Sequence, residues 1–472
     1  MKRQFFTLLL VLLSAASSFA QQPVPPSQIA GSWKGVLDIS GTKLPLVLHI
    51  SADPSGALSA TMDSPQQGAR GIPVQEVRLT QDSLYLNIKA IGGVYVGRVT
   101  SPETIEGHWK QGGYALPMQL TKGAYEAQRR KQEPTKPYPY QETEVSVENK
   151  AAGISLAGTL TMPQGKGPYP AVILFTGSGP QDRDMTVLGH KPFLVLADHL
   201  TRQGIAVLRL DDRGTGKSEG SATSATTQDF ATDAQAAYTF LKGHKEVNAK
   251  KIGLLGLSEG ALIAAKVAAA NKDVAFVVLM AGSAVPGTEL LVAQNEAIFS
   301  AAGIPDQTLQ KLLKMRRAQF ETAASEGDVD VASKKIRTIE QEAKAQFTAQ
   351  EIQQLGLSAQ SENSLVAQLS SPWMRYYLAY DPAPTLRQLK MPVLALNGSK
   401  DLQVPAAANL AATQKALKAS GNKHYTVKEL PGLNHLFQTA NTGLHTEYAA
   451  IEETMAPVAL ETISAWIKGV VK

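Results

Sequence analysis

Apolar and polar residues alternate along the first part of the chain, which is the pattern of β-strands with one buried face. Eight such runs lie between residues 21 and 122, separated by short turns rich in Gly, Pro and Asp. They are Trp33–Ile39, Leu44–Ile50, Leu58–Met62, Val74–Leu79, Leu84–Ile88, Val94–Val99, Ile105–Trp109 and Leu116–Leu120. Strands joined in sequence by hairpins predict a small antiparallel all-β domain, either a barrel or a sandwich.

From about residue 143 the pattern changes to continuous apolar runs that alternate with amphipathic helices. Two edge strands are predicted first, at Glu144–Glu148 and Ser155–Met162. The strands predicted after them are Ala171–Phe175, Ile205–Leu210, Ile252–Leu257, Val274–Met280, Val393–Leu396 and Tyr425–Leu430. The helices predicted between and after them are His190–Gln203, Asp229–Lys242, Glu259–Ala270, Ala406–Leu417 and Ile451–Ile467. This alternation predicts an α/β domain, a mostly parallel sheet with helices on both faces.

A charged, helical stretch interrupts the alternation between about residues 284 and 386. It contains no β-rich run, so it predicts a helical insertion between two strands of the sheet. An insertion above the strand ends would form a lid. Near its exit, Trp373, Tyr376, Tyr377 and Tyr380 either line a substrate cleft or are packing residues, and the sequence leaves both readings open.

The composition between the two domains predicts a linker. Residues 123–142 contain the basic triplet Arg129–Lys131 and three prolines, which are typical of a solvated connection. A chain of 472 residues is also too long for one compact core. We therefore expect a β module at 21–122, a linker at 123–142 and an α/β domain at 143–472.

The first twenty residues predict a signal peptide. Lys2 and Arg3 precede the apolar run Phe5–Leu13, and the segment ends in the small-x-small sequence Ser18–Ala20. The apolar run is too short to span a bilayer, and no later run is long enough for a transmembrane helix. The sequence therefore predicts a protein that is exported to the periplasm or secreted.

Composition also limits the classes of binding partner, metal and cofactor that the chain can have. The formal net charge is +5 without a polybasic run, which argues against nucleic acid as a partner. The chain has no cysteine, so disulfides and thiolate zinc sites are excluded. No spacing of histidines and carboxylates predicts a metal site, and no cofactor is expected. The Gly-Lys-Ser sequence at Gly216–Ser218 is similar to the end of a phosphate loop. That loop needs a glycine where Asp211 stands, so nucleotide binding is not predicted. The oligomeric state is left open.

A candidate nucleophile lies where the predicted strand Ile252–Leu257 turns directly into a helix. Gly256, Ser258 and Gly260 form the pattern G-x-S-x-G at this turn. Such a turn holds its central residue in a strained conformation, and glycines on either side relieve the crowding of neighbouring side chains. The pattern predicts a nucleophile elbow with Ser258 as the attacking group.

A serine hydroxyl needs a base to remove its proton and an anion to orient that base. Asp401 follows the strand that ends at Leu396, and His435 follows the next strand. Three suitable residues at successive strand ends, in the order Ser, Asp, His, predict a catalytic triad. Among the other histidines, only His445 competes with His435.

At these residues the chain resembles the α/β-hydrolase superfamily, close to its dienelactone-hydrolase and serine-aminopeptidase-like branches. The resemblance covers about residues 144–472 apart from the insertion, and it is carried by the elbow, the Asp401 and His435 loops, Phe175–Pro180 and Leu210–Ser218. It implies Ser258 as nucleophile, His435 as base and then acid, and Asp401 as the residue that orients it. It also implies an oxyanion hole formed by the backbone N–H groups of Ser178 and Glu259.

Two residues depart from the pattern of that superfamily. Thr176 stands where many relatives have the histidine of an H-G motif, and Glu259 places a carboxyl group directly after the nucleophile. A charged Glu259 would oppose the developing oxyanion unless a cation such as Arg213 or Lys217 offsets it.

The reaction that these residues predict is hydrolysis of a small-molecule acyl ester through an acyl-enzyme. The first alternative is cleavage of an amide, as in an aminopeptidase, which needs a carboxylate such as Glu289 or Glu296 to bind the substrate amine. The second is a ligand-binding protein whose hydrolase fold is inactive. The acyl and alcohol groups are left open.

Overall fold

The computed structural model describes residues 23–39, 42–65, 69–111, 114–126 and 129–472. The chain forms two compact units, which divide between Ala127 and Gln128. The predicted signal peptide, Met1–Ala20, lies outside the described residues. Among the helices within them, none is long and apolar enough to cross a membrane.

The first unit is a single antiparallel sheet preceded by one helical turn, α1 (Pro26–Ile29). Its strands are β1 (Gly31–Ile39), β2 (Thr42–Ala52), β3 (Leu58–Ser64), β4 (Ala69–Val74), β5 (Glu76–Thr80), β6 (Ser83–Ile88), β7 (Gly93–Ser101), β8 (Thr104–Gln111) and β9 (Tyr114–Lys122). They lie in the order β4-β3-β2-β1-β9-β8-β7-β6-β5. Because the two edge strands, β4 and β5, are joined by Gln75 alone, the sheet must curl back on itself, as in a barrel.

One predicted strand of this unit is wrong. The run Val74–Leu79 is not one strand, because β4 ends at Val74 and β5 begins at Glu76. Between them, the Gln75 N–H donates to the carbonyl of Asn87 at 2.9 Å. The alternating pattern continues through this bend, so it does not reveal that the chain passes from one edge of the sheet to the other.

Large side chains fill the interior of the first unit. Trp33 and Tyr95 are fully buried, and the Tyr95 hydroxyl donates to the carbonyls of Ile105 and Met118 at 3.2 and 3.1 Å. Space for the Tyr95 ring comes from glycines, because a Cβ on Gly97 would lie 2.5 Å from the Tyr95 hydroxyl. The inner face described here is a packed core.

The second unit contains an eight-stranded sheet. Its strands are β10 (Tyr140–Asn149), β11 (Ile154–Pro163), β12 (Tyr169–Phe175), β13 (Ala206–Leu210), β14 (Val247–Leu257), β15 (Phe276–Met280), β16 (Val393–Gly398) and β17 (Tyr425–Leu430). The order is β10-β11-β13-β12-β14-β15-β16-β17, and every pair from β13 onward is parallel. The carboxyl ends of β12, β14, β16 and β17 therefore meet at one edge.

Helices cover both faces of this sheet and also form an insertion between β15 and β16. The helices are α2 (Pro192–Arg202), α3 (Thr227–Lys242), α4 (Glu259–Ala270), α5 (Gly287–Ala301), α6 (Asp306–Ser325), α7 (Val329–Lys344), α8 (Ala349–Gln354), α9 (Ala359–Ser370), α10 (Pro372–Ala379), α11 (Ala383–Leu386), α12 (Ala406–Ala419), α13 (His445–Tyr448) and α14 (Pro457–Val470). Helices α3, α4 and α12 bury apolar residues against one face, and α2 and α14 against the other. The insertion, α5 to α11, has its own core around Leu312, Phe320 and Ile336.

The prediction of a solvated basic linker is wrong for Arg130. Its side chain is only 13% exposed, and its guanidinium donates to the carbonyls of Gly189 and Ala449. Next to it, the Gln132 amide donates to the Met455 carbonyl at 2.8 Å. Arg130 and Gln132 are therefore packed within the second unit. Strand β10 also begins inside the predicted linker, at Tyr140.

Candidate active site

Ser258 occupies the turn between β14 and α4 with a backbone φ of 57° and ψ of −120°, a conformation that non-glycine residues rarely adopt. A Cβ on Gly256 would lie 1.9 Å from the carbonyl oxygen of Gly260, and a Cβ on Gly260 would lie 2.1 Å from that of Phe175. Both positions therefore require glycine. The strand, serine and helix lie where the sequence places them.

Asp401 and His435 contact each other at the ends of β16 and β17. His435 Nδ1 lies 2.8 Å from Asp401 Oδ2, and the two residues are buried. The other carboxylate oxygen, Oδ1, accepts the backbone N–H groups of Gln403 and Val404, both at 2.9 Å. A carboxylate accepts and does not donate, so the imidazole donates through Nδ1, and in a neutral ring Nε2 is then the acceptor.

Ser258 and His435 line the same cavity, which has a volume of about 430 Å³. Residues of the sheet edge form one part of its wall, and helices α5, α6, α9 and α10 of the insertion form another. The structure thus places Ser258 and the Asp401–His435 pair at one cavity. Whether the insertion acts as a lid remains a prediction.

The loop after β12 carries Ser178 and lies beside Ser258. A Cβ on Gly177 would be 3.4 Å from the Cβ of Ser258, and Gly177 and Ser178 both line the cavity. Glu259, the other residue of the predicted oxyanion hole, begins α4 immediately after Ser258. Both backbone N–H groups thus belong to segments that border Ser258.

Asp212 accepts hydrogen bonds from this loop and holds it in place, a role that the sequence did not predict. The Thr176 hydroxyl contacts both carboxylate oxygens of Asp212 at 2.9 Å, and the Gln181 N–H donates to Oδ2 at the same distance. Removal from bulk water raises the pKa of Asp212 to about 8. Thr176, the departure from the H-G motif, therefore serves as a donor to Asp212. The feature of the sequence that could have indicated this role is the pair of consecutive aspartates directly after the strand that ends at Leu210.

The carboxyl group of Glu259 is buried beneath the insertion. The Thr227 hydroxyl and the Trp373 indole donate to its Oε1 at 2.7 and 2.8 Å. Burial raises the pKa of Glu259, which favours the uncharged form. Arg213, one of the cations considered for offsetting that charge, pairs instead with Asp233 at 2.7 Å. The raised pKa thus favours a smaller negative charge on Glu259, the residue directly after Ser258.

The four aromatic residues near the exit of the insertion divide into two pairs. Trp373 and Tyr377 line the cavity and stack on each other with ring centroids 5.5 Å apart. Tyr376 and Tyr380 are not among its lining residues and instead contact Lys266, whose ammonium donates to the Tyr376 hydroxyl at 3.0 Å. Trp373 and Tyr377 thus line a cavity, whereas Tyr376 and Tyr380 are packing residues, and a substrate in that cavity stays a prediction.

The remaining candidates take other positions. His445 lines the cavity against the Tyr448 ring, and burial, with His435 nearby, lowers the pKa of His445. Glu289 pairs with Arg317, Glu296 is exposed, and neither lines the cavity. In the described ranges, no group of three or more His, Cys, Asp and Glu residues is arranged to hold a metal ion.

The sheet order and the serine turn after β14 together make this chain an α/β-hydrolase. It belongs to the family described as serine aminopeptidase, S33, whose model matches residues 191–439. That range contains Ser258, Asp401 and His435. It also contains the whole helical insertion, α5 to α11.

Esterase EstD of Thermotoga maritima is 34% identical over 167 residues, which are 35% of this chain and 40% of the esterase. The esterase Pf2001 of Pyrococcus furiosus is a solved structure with 16% identity and a TM-score of 0.42, covering 71% of this chain and 92% of its own. Est1E of Butyrivibrio proteoclasticus, solved with ferulic acid, has 18% identity and a TM-score of 0.41, covering 69% and 99%.

Proposed function

We propose that this chain is an exported serine hydrolase that cleaves carboxylic esters through an acyl-enzyme on Ser258. The observation that carries the proposal is the 2.8 Å contact between His435 Nδ1 and Asp401 Oδ2, beside the cavity that Ser258 lines. The strained backbone of Ser258 is a second support, because it fits a nucleophile elbow. The similarity to a protein named an esterase favours an ester as substrate.

The reaction follows from the roles of these groups. His435 Nε2 accepts the proton of Ser258 Oγ as that oxygen bonds to the ester carbonyl carbon. The oxyanion accepts hydrogen bonds from the N–H groups of Ser178 and Glu259, and Asp401 stabilises the imidazolium. The carbon–oxygen bond to the alcohol then breaks, and the alcohol leaves with the proton from His435. Water, deprotonated by His435, attacks the acyl-enzyme and releases the acid and Ser258.

A fluorophosphonate probe and a p-nitrophenyl ester test this proposal together. We expect the probe to label Ser258, and the ester to give a burst of p-nitrophenol followed by turnover. Ser258→Ala should abolish labelling and lower kcat by at least about a thousandfold, because the attacking oxygen is lost. Unchanged turnover in that variant would refute the proposal, and failure of the native chain to react with either reagent would favour the ligand-binding alternative.

Amide cleavage is the second candidate, because the family description names an aminopeptidase. It requires a group that holds the substrate amine, and the two carboxylates considered for that role, Glu289 and Glu296, are outside the cavity lining. We therefore expect a p-nitrophenyl ester to be cleaved in large excess over the matched aminoacyl p-nitroanilide. A preference for the anilide would reverse the order of the two candidates.

Export is the remaining part of the proposal. The support is the predicted signal peptide, which ends at Ala20. We expect mass spectrometry of the protein from a bacterial host to give a mature chain that begins at Gln21 in the periplasmic or medium fraction. An intact N-terminus retained in the cytoplasm would contradict it.

A further inference from the structure

The cavity beside Ser258 has an uneven distribution of charge. Among the described residues that line it, none is Asp or Glu, and one carries a permanent charge, Arg316 of α6. The lining also includes the uncharged amides of Gln294, Asn295 and Gln368. His445 also lines the cavity, and its lowered pKa favours the neutral ring. The permanent charge of this lining is therefore positive.

Arg316 is incompletely paired within the protein. Its side chain is 14% exposed, and its Nη1 donates to Gln319 Oε1 at 2.9 Å. Its ion-pair partner is the buried carboxylate of Glu340, whose Oε2 lies 3.9 Å from Nη1. That separation is too long for a direct hydrogen bond.

Glu340 is also shared with another cation. Lys344 contacts it at 2.9 Å and contacts Glu362 at 3.1 Å, and Arg337 reaches Glu362 at 3.5 Å. This network of described residues contains two carboxylates and three cations. One positive charge is therefore in excess, and Arg316 is the member that lines the cavity.

A guanidinium removed from water is stabilised when an anion contacts it directly. Burial lowers the pKa of Arg316, which reflects the same unfavourable desolvation. A carboxylate fits the planar fork of the Arg guanidinium better than a neutral or cationic group does, since its two oxygens accept two parallel N–H bonds. A substrate with a free ammonium group would instead be repelled.

We infer that the substrate is an ester that also carries a carboxylate, which binds Arg316 while the ester group lies at Ser258. This inference rests on the proposed ester hydrolysis and adds the substrate class. Phe320 of α6 and Leu365 of α9 line the same cavity and supply apolar surface for the carbon chain between the two groups. Arg316 is thus assigned as a specificity-determining residue.

Two matched pairs of substrates test the inference. The first pair places the carboxylate on the acyl side: p-nitrophenyl monoesters of adipic, suberic and sebacic acids, each compared with its methyl-capped analogue. The second places it on the alcohol side: 3- and 4-acetoxybenzoate, compared with their methyl esters. The readout is the ratio of kcat/KM for the carboxylate form to that for the capped form, in each series.

We expect the native ratio to exceed one in at least one series and to fall by about 10- to 100-fold in Arg316→Gln, the range of a lost charge-assisted hydrogen bond. Arg316→Lys should keep part of the preference. The matched control is Arg317→Gln, one position along α6, whose guanidinium pairs with Glu289 and does not line the cavity. Its ratio should equal the native one. A native ratio of one or less in both series, or an unchanged ratio in Arg316→Gln, would overturn the inference.

A binding measurement separates this inference from the reaction itself. Calorimetry with the Ser258→Ala chain should detect suberate, and replacement of Arg316 by Gln should weaken its affinity at least about tenfold. If no ester is hydrolysed but suberate binds through Arg316, the proposed reaction fails and the anion site stands. If esters are hydrolysed and suberate binds equally with Gln at position 316, the anion site fails alone.

Discussion

The cavity has two walls of different construction. The sheet edge, with Ser258, Asp401 and His435, is fixed by backbone: glycines allow contacts that no side chain would permit, and two N–H groups hold Asp401 Oδ1. The insertion, α5 to α11, is held by side chains that pack around its own apolar core. Backbone contacts tolerate few substitutions, whereas a helical core accepts many that keep its volume.

The two walls of the cavity therefore have different roles. The sheet edge supplies the groups that make and break bonds in the proposed reaction, and these need fixed geometry. The insertion supplies Arg316 and apolar surface, which would select a substrate. A contact joins the two walls, because the indole of Trp373 in α10 donates to Glu259, the residue after Ser258. Changes at the sheet edge should therefore affect the rate, and changes in the insertion the choice of substrate.

The largest effect is expected from Asp401→Asn. An amide at this position would no longer favour the Nδ1–H form of His435, and kcat should fall by about 10³- to 10⁴-fold with little change in KM. Steady-state kinetics with a p-nitrophenyl ester would measure it. Asp330→Asn, at an exposed position on α7 of the insertion, is the matched control and should leave kcat unchanged. A variant that keeps more than a tenth of the native kcat would argue against Asp401 as the orienting residue.

A glycine in each wall provides the second test. Gly260→Ala would place a methyl group 2.1 Å from the carbonyl oxygen of Phe175, so the free energy of unfolding should fall by about 3 kcal/mol. Gly327 lies between α6 and α7 with no atom within 4 Å of an added Cβ. Gly327→Ala should therefore leave stability unchanged or raise it by up to about 1 kcal/mol. Urea unfolding of both variants would measure this, and equal losses would remove the distinction between the walls.

The sequence predicts features that local pattern determines. The elbow follows from glycines around Ser258, and the positions of Asp401 and His435 follow from strands that end just before them. Features that depend on distant contacts are absent from such patterns. The burial of Arg130 requires carbonyls of Gly189 and Ala449, which no local pattern of charge indicates.

The same limit applies to single residues at the site. Asp212 lies in the segment Leu210–Ser218, but its role depends on Thr176 and Gln181, which follow the end of another strand. Arg316 was one basic residue among several in a charged stretch, and its position in the cavity depends on how α6 packs. Tertiary packing decides which of these charges face the site.

The last effect, small for each unit of pH, is expected from the ionisation of Asp212. Its pKa of about 8 in the folded chain lies above its ordinary value of 3.8, so between these values the folded state holds a proton that the unfolded state has lost. The contribution of Asp212 to stability is therefore fully present below pH 3.8 and is lost as pH rises toward 8. The slope is at most about 1.4 kcal/mol per pH unit, and less in practice because the side chain keeps some exposure.

Asp212→Asn should remove this slope, because the amide oxygen still accepts from Thr176 and Gln181 but does not titrate. Urea unfolding of both chains between pH 5 and 7.5 would show a difference that grows with pH. The control in the insertion is Asp328→Asn at the start of α7, where the backbone N–H groups of Val331 and Asp330 lower the pKa of Asp328. Its contribution has the opposite sign and is lost as pH falls through that lowered value. If Asp212→Asn instead shifts stability equally at every pH, Asp212 is ionised in the folded chain and its carboxylate holds the loop after β12 as an anion.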